Sequence, residues 1–305
     1  MNVRAGAVRW LATLGVVAVD AAWLDSTHRS IANAGAWVLL LAFTIMLILF
    51  VSAFGMALLM GIDRFRQFRE AAARDLGRRV LTTLNYVLLM FIFIQAIVVL
   101  TYLAATLDVP VIDARLAAAD GRLGFDWPRL FAWVQAHAPI QAVLGGAYET
   151  LGLQALLIPV FLGLTGKSRH LNELSSHLIV AFLLMLLVSI PFPAHCAFKH
   201  YGLGSADSLA MLSDFEALRD GTMRVFDVGQ LQGLVCFPSM HTAMAILLTY
   251  SLRGSIRLLS VAVALNAVLI MSTPTQGGHY LVDILAGVLL GATTILLVRA
   301  LPQSA

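Results

Sequence analysis

The chain has 305 residues, of which 60% are hydrophobic and only 12% charged, and its mean hydropathy is +0.87. These values are typical of a polytopic membrane protein and exclude a soluble globular chain or a disordered one. The formal net charge is +3, and the charges lie in short segments between long apolar stretches, so no basic face remains for binding nucleic acid.

Eight apolar segments are near the length of about 20 residues that a helix needs to cross roughly 30 Å of hydrocarbon. Polar flanks delimit them at approximately 7–24, 32–61, 80–107, 142–164, 175–194, 239–253, 258–273 and 280–299. The sixth and seventh segments are short, so Arg253 and Arg257 would have to extend to the interface. The sequence therefore predicts an all-α protein with about eight transmembrane helices.

The first segment carries Asp20 and has Arg4 and Arg9 at its start, a pattern that spanning helices share with signal peptides. We interpret it as a spanning helix, because no small-residue cleavage site lies near Asp20, with a cleaved signal peptide as the alternative. Asp20 itself is interpreted as an interfacial or helix-packing polar group.

The basic residues are divided unequally between the two sides that these segments define. Thirteen lie on the side that holds both termini, six of them in 64–79, whereas the seven on the other side are spread over longer loops. Short loops rich in Lys and Arg stay in the cytoplasm, so we expect cytoplasmic termini and outer loops at 108–141 and 195–238. In a bacterium this predicts an inner-membrane protein whose outer loops face the periplasm.

Both outer loops have features of their own. The first contains four aromatic residues, Phe125, Trp127, Phe131 and Trp133. With apolar positions near helical spacing, they predict an interfacial helix or lid at headgroup depth, and substrate gating is an alternative role. The second loop holds the only two cysteines, Cys196 and Cys236, which are too few for a thiolate cluster. A disulfide between them is one interpretation, because the outer compartment permits it.

Two short motifs contain the residues that can carry chemistry: PSMH, which ends at His241, and GGHYLVD, which contains His279 and Asp283. The chain crosses the membrane inward and returns between the motifs, so the topology brings both imidazoles to the outer face. Ser239 is placed to cap a helix whose first turn contains His241, and such a turn favours an anion such as phosphate.

In the second motif, His279 and Asp283 are four residues apart and would share one face of a helix. The carboxylate can then accept a bond from one ring nitrogen and leave the other facing a substrate, which makes a usable nucleophile. Gly278, like Gly277, lets the backbone bend and approach a ligand closely. Each motif alone also fits an ordinary interfacial histidine, but together, on one side of the membrane, they predict a functional site.

The two motifs resemble the second and third signatures of the type 2 phosphatidic acid phosphatase superfamily, the lipid phosphate phosphatases, whose usual forms are PSGH and SRxxxxxHxxxD. The forms FPSMH and GGHYLVDILAG are more similar to the branch that holds the inositol phosphorylceramide synthases. The likeness covers roughly residues 80–300. It implies a six-helix catalytic core at 80–305, preceded at 1–79 by two additional transmembrane helices and a basic cytoplasmic loop.

The resemblance implies a phosphoryl transfer through a phosphohistidine, with no metal and no cofactor. His279 would attack phosphorus, Asp283 would orient its ring, and His241 would protonate the departing oxygen and later deprotonate the acceptor. Water as acceptor makes the protein a lipid phosphatase, which we favour because an outer-face site meets abundant water. An alcohol acceptor makes it a phosphotransferase that moves a phospho-headgroup, as in the inositol phosphorylceramide synthases. The expected partners are the membrane and a phosphorylated lipid, and the oligomeric state is left open.

The chain departs from the family signatures in two places. Thr273 stands where the family has an arginine six residues before the nucleophile, and the first motif is missing. Arg224 is our first candidate to bind phosphate instead, followed by Arg219 and Lys199, because basic side chains can grip phosphate oxygens. The alternative is that these residues only form surface ion pairs with neighbouring acids.

Other interpretations carry less support. Glu149, His195 and His200 are further candidates to line the pocket, although a structural role explains each of them.

The string RDGTMR at 219–224 resembles the start of the CDP-alcohol phosphotransferase signature, which we reject because the spaced aspartates that hold metal are missing. A transporter or passive scaffold would need more charged residues buried within the helices, and Asp20 is the only clear one.

Overall fold

A computed structural model describes residues 3–60, 69–204, 214–231 and 233–300. The helices, in chain order, are α1 (Val3–Ser26), α2 (Gly35–Met60), α3 (Arg69–Ala105), α4 (Asp113–Arg122), α5 (Trp127–Gln135), α6 (Ala138–Leu164), α7 (Ser168–Ser189), α8 (Ala197–Tyr201), α9 (Met240–Ser251), α10 (Ile256–Gln276) and α11 (Leu281–Ala300). A further helical stretch lies at 214–219. Two short strands, β1 (Ser30–Ala32) and β2 (Val225–Asp227), pair in parallel with Ile31 opposite Phe226.

Six of the described helices, α1, α3, α6, α7, α10 and α11, are long and apolar enough to cross a membrane. The other two predicted segments correspond to α2, which has an apolar stretch at Gly35–Phe50, and to α9. The twelve residues of α9 span about 18 Å, so this helix covers only part of the hydrocarbon thickness. The chain is therefore an all-α multi-pass membrane protein, which confirms the fold class predicted from composition.

Helix α3 extends well beyond the predicted apolar segment. It begins at Arg69, and its 37 residues span about 55 Å. Asp75 pairs with Arg78 at 3.5 Å and with Arg79 at 2.6 Å, and such pairs one turn apart support a helix at the basic end. Residues 69–79, predicted as part of the basic loop, are thus helical. The two arginines of that loop at positions 64 and 66 lie outside the described residues. The predicted boundary at residue 79, between the N-terminal helices and the catalytic core, falls inside α3, and this division of the chain stays a prediction.

The short helix α9 lies at the centre of the bundle, in contact with α6, α7, α10 and α11. Two glycines on α11 allow the close packing: a Cβ on Gly287 would lie 2.4 Å from the Ser239 carbonyl, and one on Gly291 would lie 3.3 Å from Ile246. Small residues one turn apart let membrane helices approach in this way. The Ser239 N–H also donates to the Asp283 carbonyl at 3.1 Å. The starts of α9 and α11 are therefore held together.

Polar side chains join the helices inside the bundle. Gln154 of α6 and Asn266 of α10 exchange amide hydrogen bonds of 3.0 and 2.9 Å, and Asn266 also donates to Thr249 of α9 at 2.7 Å. Arg9 of α1 donates to the main chain and side chain of Asn172 on α7. An unpaired amide in an apolar interior is costly, so these pairs favour one arrangement of the helices.

The segment predicted as one interfacial helix in an outer loop forms two helices, α4 and α5. The break arises because Asp126 caps α5, accepting a hydrogen bond from Arg129 N at 3.0 Å. Trp127 is fully buried between the rings of Phe131 and Tyr201, with centroids 5.1 and 5.4 Å away. The Trp127 ring therefore packs inside the protein, against the loop that follows α10, and its predicted headgroup depth stays a prediction.

Candidate active site

His241 lies in the first turn of α9, on a helix start that the sequence predicts correctly. The Ser239 hydroxyl accepts a hydrogen bond from Thr242 N at 3.4 Å, which confirms the predicted cap. The His241 ring stacks on the ring of Tyr148 from α6, with centroids 4.7 Å apart and an interplanar angle of 15°. No sequence motif marks Tyr148, because this contact depends on how α6 packs beside α9.

His279 lies in the turn between α10 and α11, not on the helix that the spacing to Asp283 predicts. Gly278 causes the difference: its φ is +66°, and a Cβ there would lie 2.4 Å from the Phe198 ring. Asp283, in the first turn of α11, nevertheless reaches His279, with 3.5 Å between its Oδ2 and Nδ1. The same oxygen accepts a shorter bond from Tyr280 N, at 2.9 Å. The structure thus brings the predicted pair together on a different backbone.

The two imidazoles face each other, with ring centroids 6.0 Å apart and an interplanar angle of 60°. Both line a cavity of about 220 Å³ between α3, α6, α7 and α9. Apolar side chains such as Leu151, Phe182 and Met185 form most of the remaining wall. Two imidazoles at this separation can contact one tetrahedral group from two sides.

The electrostatics of the site favour a neutral His279. Burial lowers the pKa of the His279 imidazole to about 4, and a hydrogen bond with the Cys236 main chain opposes this effect only in part. A neutral ring has a nitrogen lone pair available for attack. Asp283 is fully buried, and within the described part of the chain its Oδ1 has no hydrogen-bond partner. That carboxylate can stabilise the ring when the ring gains positive charge.

A disulfide joins Cys196 to Cys236, with Cα atoms 5.4 Å apart, which confirms the cysteine pairing considered from the sequence. Both cysteines line the cavity, and the Cys236 sulfur lies 3.8 Å from His279 Nδ1. A bridge that closes 40 residues stabilises a fold by about 4 kcal/mol in the chain-entropy estimate. It ties α8 to the segment that leads into α9.

The donor atoms of Cys236, His279 and Asp283 lie within 4.8 Å of one another, an arrangement that could hold a metal ion. The Cys236 sulfur is bonded to Cys196, however, and offers no thiolate. The remaining imidazole and carboxylate are fewer ligands than a protein zinc site uses. The donor set therefore fits a close contact between imidazole and carboxylate better than a metal site.

The three basic residues predicted to bind phosphate do not line the cavity. Lys199 is paired with Glu216, and its ammonium group lowers the pKa of that carboxyl. A guanidinium nitrogen of Arg219 lies 3.7 Å from a carboxylate oxygen of Asp108. Lys199 and Arg219 thus form the surface ion pairs of the alternative interpretation. Arg224 is exposed beside β2, and its role as a phosphate ligand stays a prediction.

The other candidates also lie away from the cavity wall. Glu149 and His200 are exposed, and His195 contacts Asp113 through its main-chain N–H and its ring. Ser239 is fully buried, so it shapes the start of α9, while Gly278 shapes the turn before α11. Among the described residues, the cavity has no Lys or Arg in its wall.

The fold and the site together define a multi-pass membrane protein with two histidines at one cavity and an aspartate behind one of them. A comparison with protein-family models matches residues 114–297 to the PAP2 superfamily. The match covers more than half of the chain, which therefore belongs to the PAP2 superfamily, as the PSMH and GGHYLVD motifs predict. No curated protein matches the chain, and no solved structure does. Membership of the inositol phosphorylceramide synthase-like branch stays a prediction.

Proposed function

We propose that this protein is an integral-membrane lipid phosphatase that transfers a phosphoryl group through a phosphohistidine at His279. One observation carries the proposal: the rings of His241 and His279 face each other across a shared cavity with centroids 6.0 Å apart, and Asp283 lies behind His279. Membership of the PAP2 superfamily supports phosphoryl chemistry on a lipid.

The chemistry proceeds in two steps. His279 attacks phosphorus through the ring nitrogen turned away from Asp283, and the carboxylate stabilises the charge that develops on the ring. Protonated His241 donates its proton to the departing oxygen, so the lipid leaves as an alcohol. Neutral His241 then removes a proton from water, which attacks phosphorus, breaks the bond to His279 and releases phosphate. The first turn of α9 supplies electropositive N–H dipoles for the phosphate oxygens.

The wall of the cavity supports an amphiphilic substrate. Ile97 and Val98 of α3, Leu151 of α6 and Phe182 of α7 contribute apolar side chains to the same space that the histidines line. An acyl chain next to the phosphate can be removed from water there, which stabilises the bound state in proportion to the buried area. We therefore propose a phosphorylated lipid as the substrate.

Filling this cavity is expected to impair long-chain substrates selectively. Met185→Trp places a larger side chain in the apolar wall and should lower kcat/KM for a long-chain phosphatidic acid by at least about tenfold. The rate with water-soluble p-nitrophenyl phosphate should change much less, because that substrate has no acyl chain. Phosphate release from both substrates provides the measurement.

Leu187→Trp is the matched control, since Leu187 lies on the same helix and its side chain is 72% exposed. This variant should keep the wild-type preference between the two substrates. Equal losses on both substrates in Met185→Trp, or the same loss in both tryptophan variants, would contradict binding of an acyl chain in the cavity.

A phosphotransferase that moves a phospho-headgroup from a phosphodiester lipid to an alcohol, and so forms a new phosphodiester, is the second candidate. The same apolar wall supports it, because it also suits a lipid alcohol as acceptor. Purified protein incubated with a lipid extract in EDTA separates the two functions. We expect free phosphate and no new phosphodiester. New phosphodiesters would establish the transferase, activity lost in EDTA would indicate a metal enzyme, and no reaction by folded protein would count against both candidates.

We propose that the site faces the periplasm from the inner membrane of a bacterium. The unequal distribution of basic residues supports this orientation. The disulfide beside His279 also supports it, because disulfides persist outside the cytoplasm. At the other end of α9, Arg253 pairs with Glu173 of α7, on the side rich in basic residues.

A transporter would need charged residues buried along a path through the helices. Among the described residues of the spanning helices, the buried Arg and Asp side chains are Arg9 and Asp20 of α1 and Asp283 of α11. Asp283 belongs to the histidine site, whereas Arg9 and Asp20 do not line the cavity. A catalytic site therefore explains the arrangement better than a transport path.

A further inference from the structure

Helix α11, which follows the nucleophile, is capped by a carboxylate from a different helix. Asp120 of α4 accepts hydrogen bonds from the main-chain N–H groups of Leu281 and Val282, at 2.8 and 2.9 Å. Tyr280, at the usual capping position, is not one of the residue types that cap helices. Asp120 takes over that role, and its negative charge suits the helix N-terminus.

A second carboxylate on the same face of α4 holds the adjacent residue. Asp113 and Asp120 are seven residues apart, which places them two turns apart on one side of the helix. Asp113 accepts a hydrogen bond from the Tyr280 hydroxyl at 3.0 Å and another from His195 N at 3.0 Å. Tyr280 is thus fixed at its hydroxyl by Asp113 and at its main-chain N–H by Asp283.

Both α4 carboxylates are buried, which costs free energy. Burial raises the pKa of Asp120 although its two main-chain bonds act in the other direction. At Asp113 burial acts in the same way, but the hydrogen bonds from His195 and Tyr280 outweigh it and lower the pKa. Well-packed apolar side chains avoid this cost. Two buried carboxylates directed at residues 280–282 therefore indicate a role beyond packing.

The preceding part of the turn is held by other outer elements. Trp127 of α5 donates to the His279 carbonyl at 3.2 Å, and Ala197 N donates to the Gly278 carbonyl at 2.8 Å. The carbonyls of Gly278 and His279 thus each have a partner from outside the turn. The carboxylates of α4 supply the partners on the side of Asp283.

We propose that Asp120 and Asp113 are positioning residues that hold the turn 277–282 so that His279 faces His241 across the cavity. This inference rests on the proposed phosphoryl transfer. Neither carboxylate lines the cavity, so both act through Tyr280 and the start of α11 and make no contact with substrate. A displacement of the nucleophile by about 1 Å is enough to cost roughly 10²-fold in rate.

Asp120→Asn tests the proposal, because the amide keeps the size of the side chain but offers one oxygen to two N–H groups. We expect kcat on phosphatidic acid to fall at least about tenfold while KM changes less than about twofold. Tyr280→Phe removes only the hydroxyl bound to Asp113 and should lower kcat about fivefold, the value of one hydrogen bond. Asp126→Asn is the matched control: Asp126 caps α5, Asn caps equally well, and kcat and KM should stay at wild-type values.

Hydrogen exchange measures the positioning independently of activity. In Asp120→Asn, the amides of Leu281 and Val282 should exchange at least about tenfold faster than in the wild type, and Asp126→Asn should leave them unchanged. Wild-type kcat, a KM increase matching the loss in kcat, or wild-type exchange in Asp120→Asn would each overturn the inference. If Asp120→Asn does not fold, Tyr280→Phe decides through kcat and KM. If the wild-type protein releases no phosphate, the proposed function fails, and exchange still decides whether Asp120 holds the turn.

Discussion

Replacing His279 by alanine is expected to lower the release of phosphate from phosphatidic acid by at least about 10³-fold, because the variant lacks the proposed nucleophile. Burial lowers the pKa of this imidazole and so favours the neutral ring, and its Nδ1 lies 3.5 Å from Asp283 Oδ2. Purified protein in EDTA provides the assay. Rapid quenching with radiolabelled substrate should detect an acid-labile phosphoenzyme in the wild type and none in the variant.

His200→Ala is the control for His279→Ala. His200 is also close to the turn that holds His279: it is exposed, and its ring centroid lies 6.1 Å from that of Tyr280. Its loss should leave both phosphate release and the phosphoenzyme at wild-type levels. Retention of the phosphoenzyme in folded His279→Ala would contradict the nucleophile assignment.

Replacing His241 by alanine is expected to slow phosphoenzyme formation from phosphatidic acid by roughly 10²–10⁴-fold, the usual contribution of a general acid. The first-turnover burst of p-nitrophenol from p-nitrophenyl phosphate should be nearly retained, because nitrophenolate leaves without a proton. Rapid quench measurements with the two substrates give the ratio of the two rates. Restricting the comparison to the first turnover separates the acid role from the later base role of His241.

Tyr148→Phe is the control for His241→Ala, since it keeps the stacked ring beside His241 and removes only the hydroxyl. We expect wild-type first-turnover rates with both substrates. An equal loss on both substrates in His241→Ala would count against proton donation to the leaving group and would indicate that the ring only shapes the cavity.

Local patterns in the sequence were sufficient to predict the spanning helices and the residues of the candidate site. Long apolar runs show where the chain can cross a membrane, because each backbone group must be satisfied within its own helix there. Ser239 before His241 predicts a helix cap, which the structure contains. The same local patterns failed at the basic end of α3, where charged pairs extend the helix beyond the apolar segment.

The surroundings of the nucleophile depend on contacts between distant parts of the chain. The three side chains Asp120, Trp127 and Tyr148 come from different helices, and no spacing in the sequence connects them with residues 241 or 279. The ion pairs of Lys199 and Arg219 likewise depend on which acid lies nearby in space.

The sequence by itself determined that the chain crosses the membrane repeatedly, that it belongs to the PAP2 superfamily and that His241, His279 and Asp283 are the candidate catalytic residues. These conclusions depend on hydrophobic length and short spacings, which are properties of neighbouring residues. Only the tertiary structure decided that His279 stands in a turn, that α4 supplies buried carboxylates to that turn, and that the cavity wall is apolar. Such features arise from side-chain packing between helices far apart in the chain. The spacing of apolar residues along the sequence does not show which of these helices pack together.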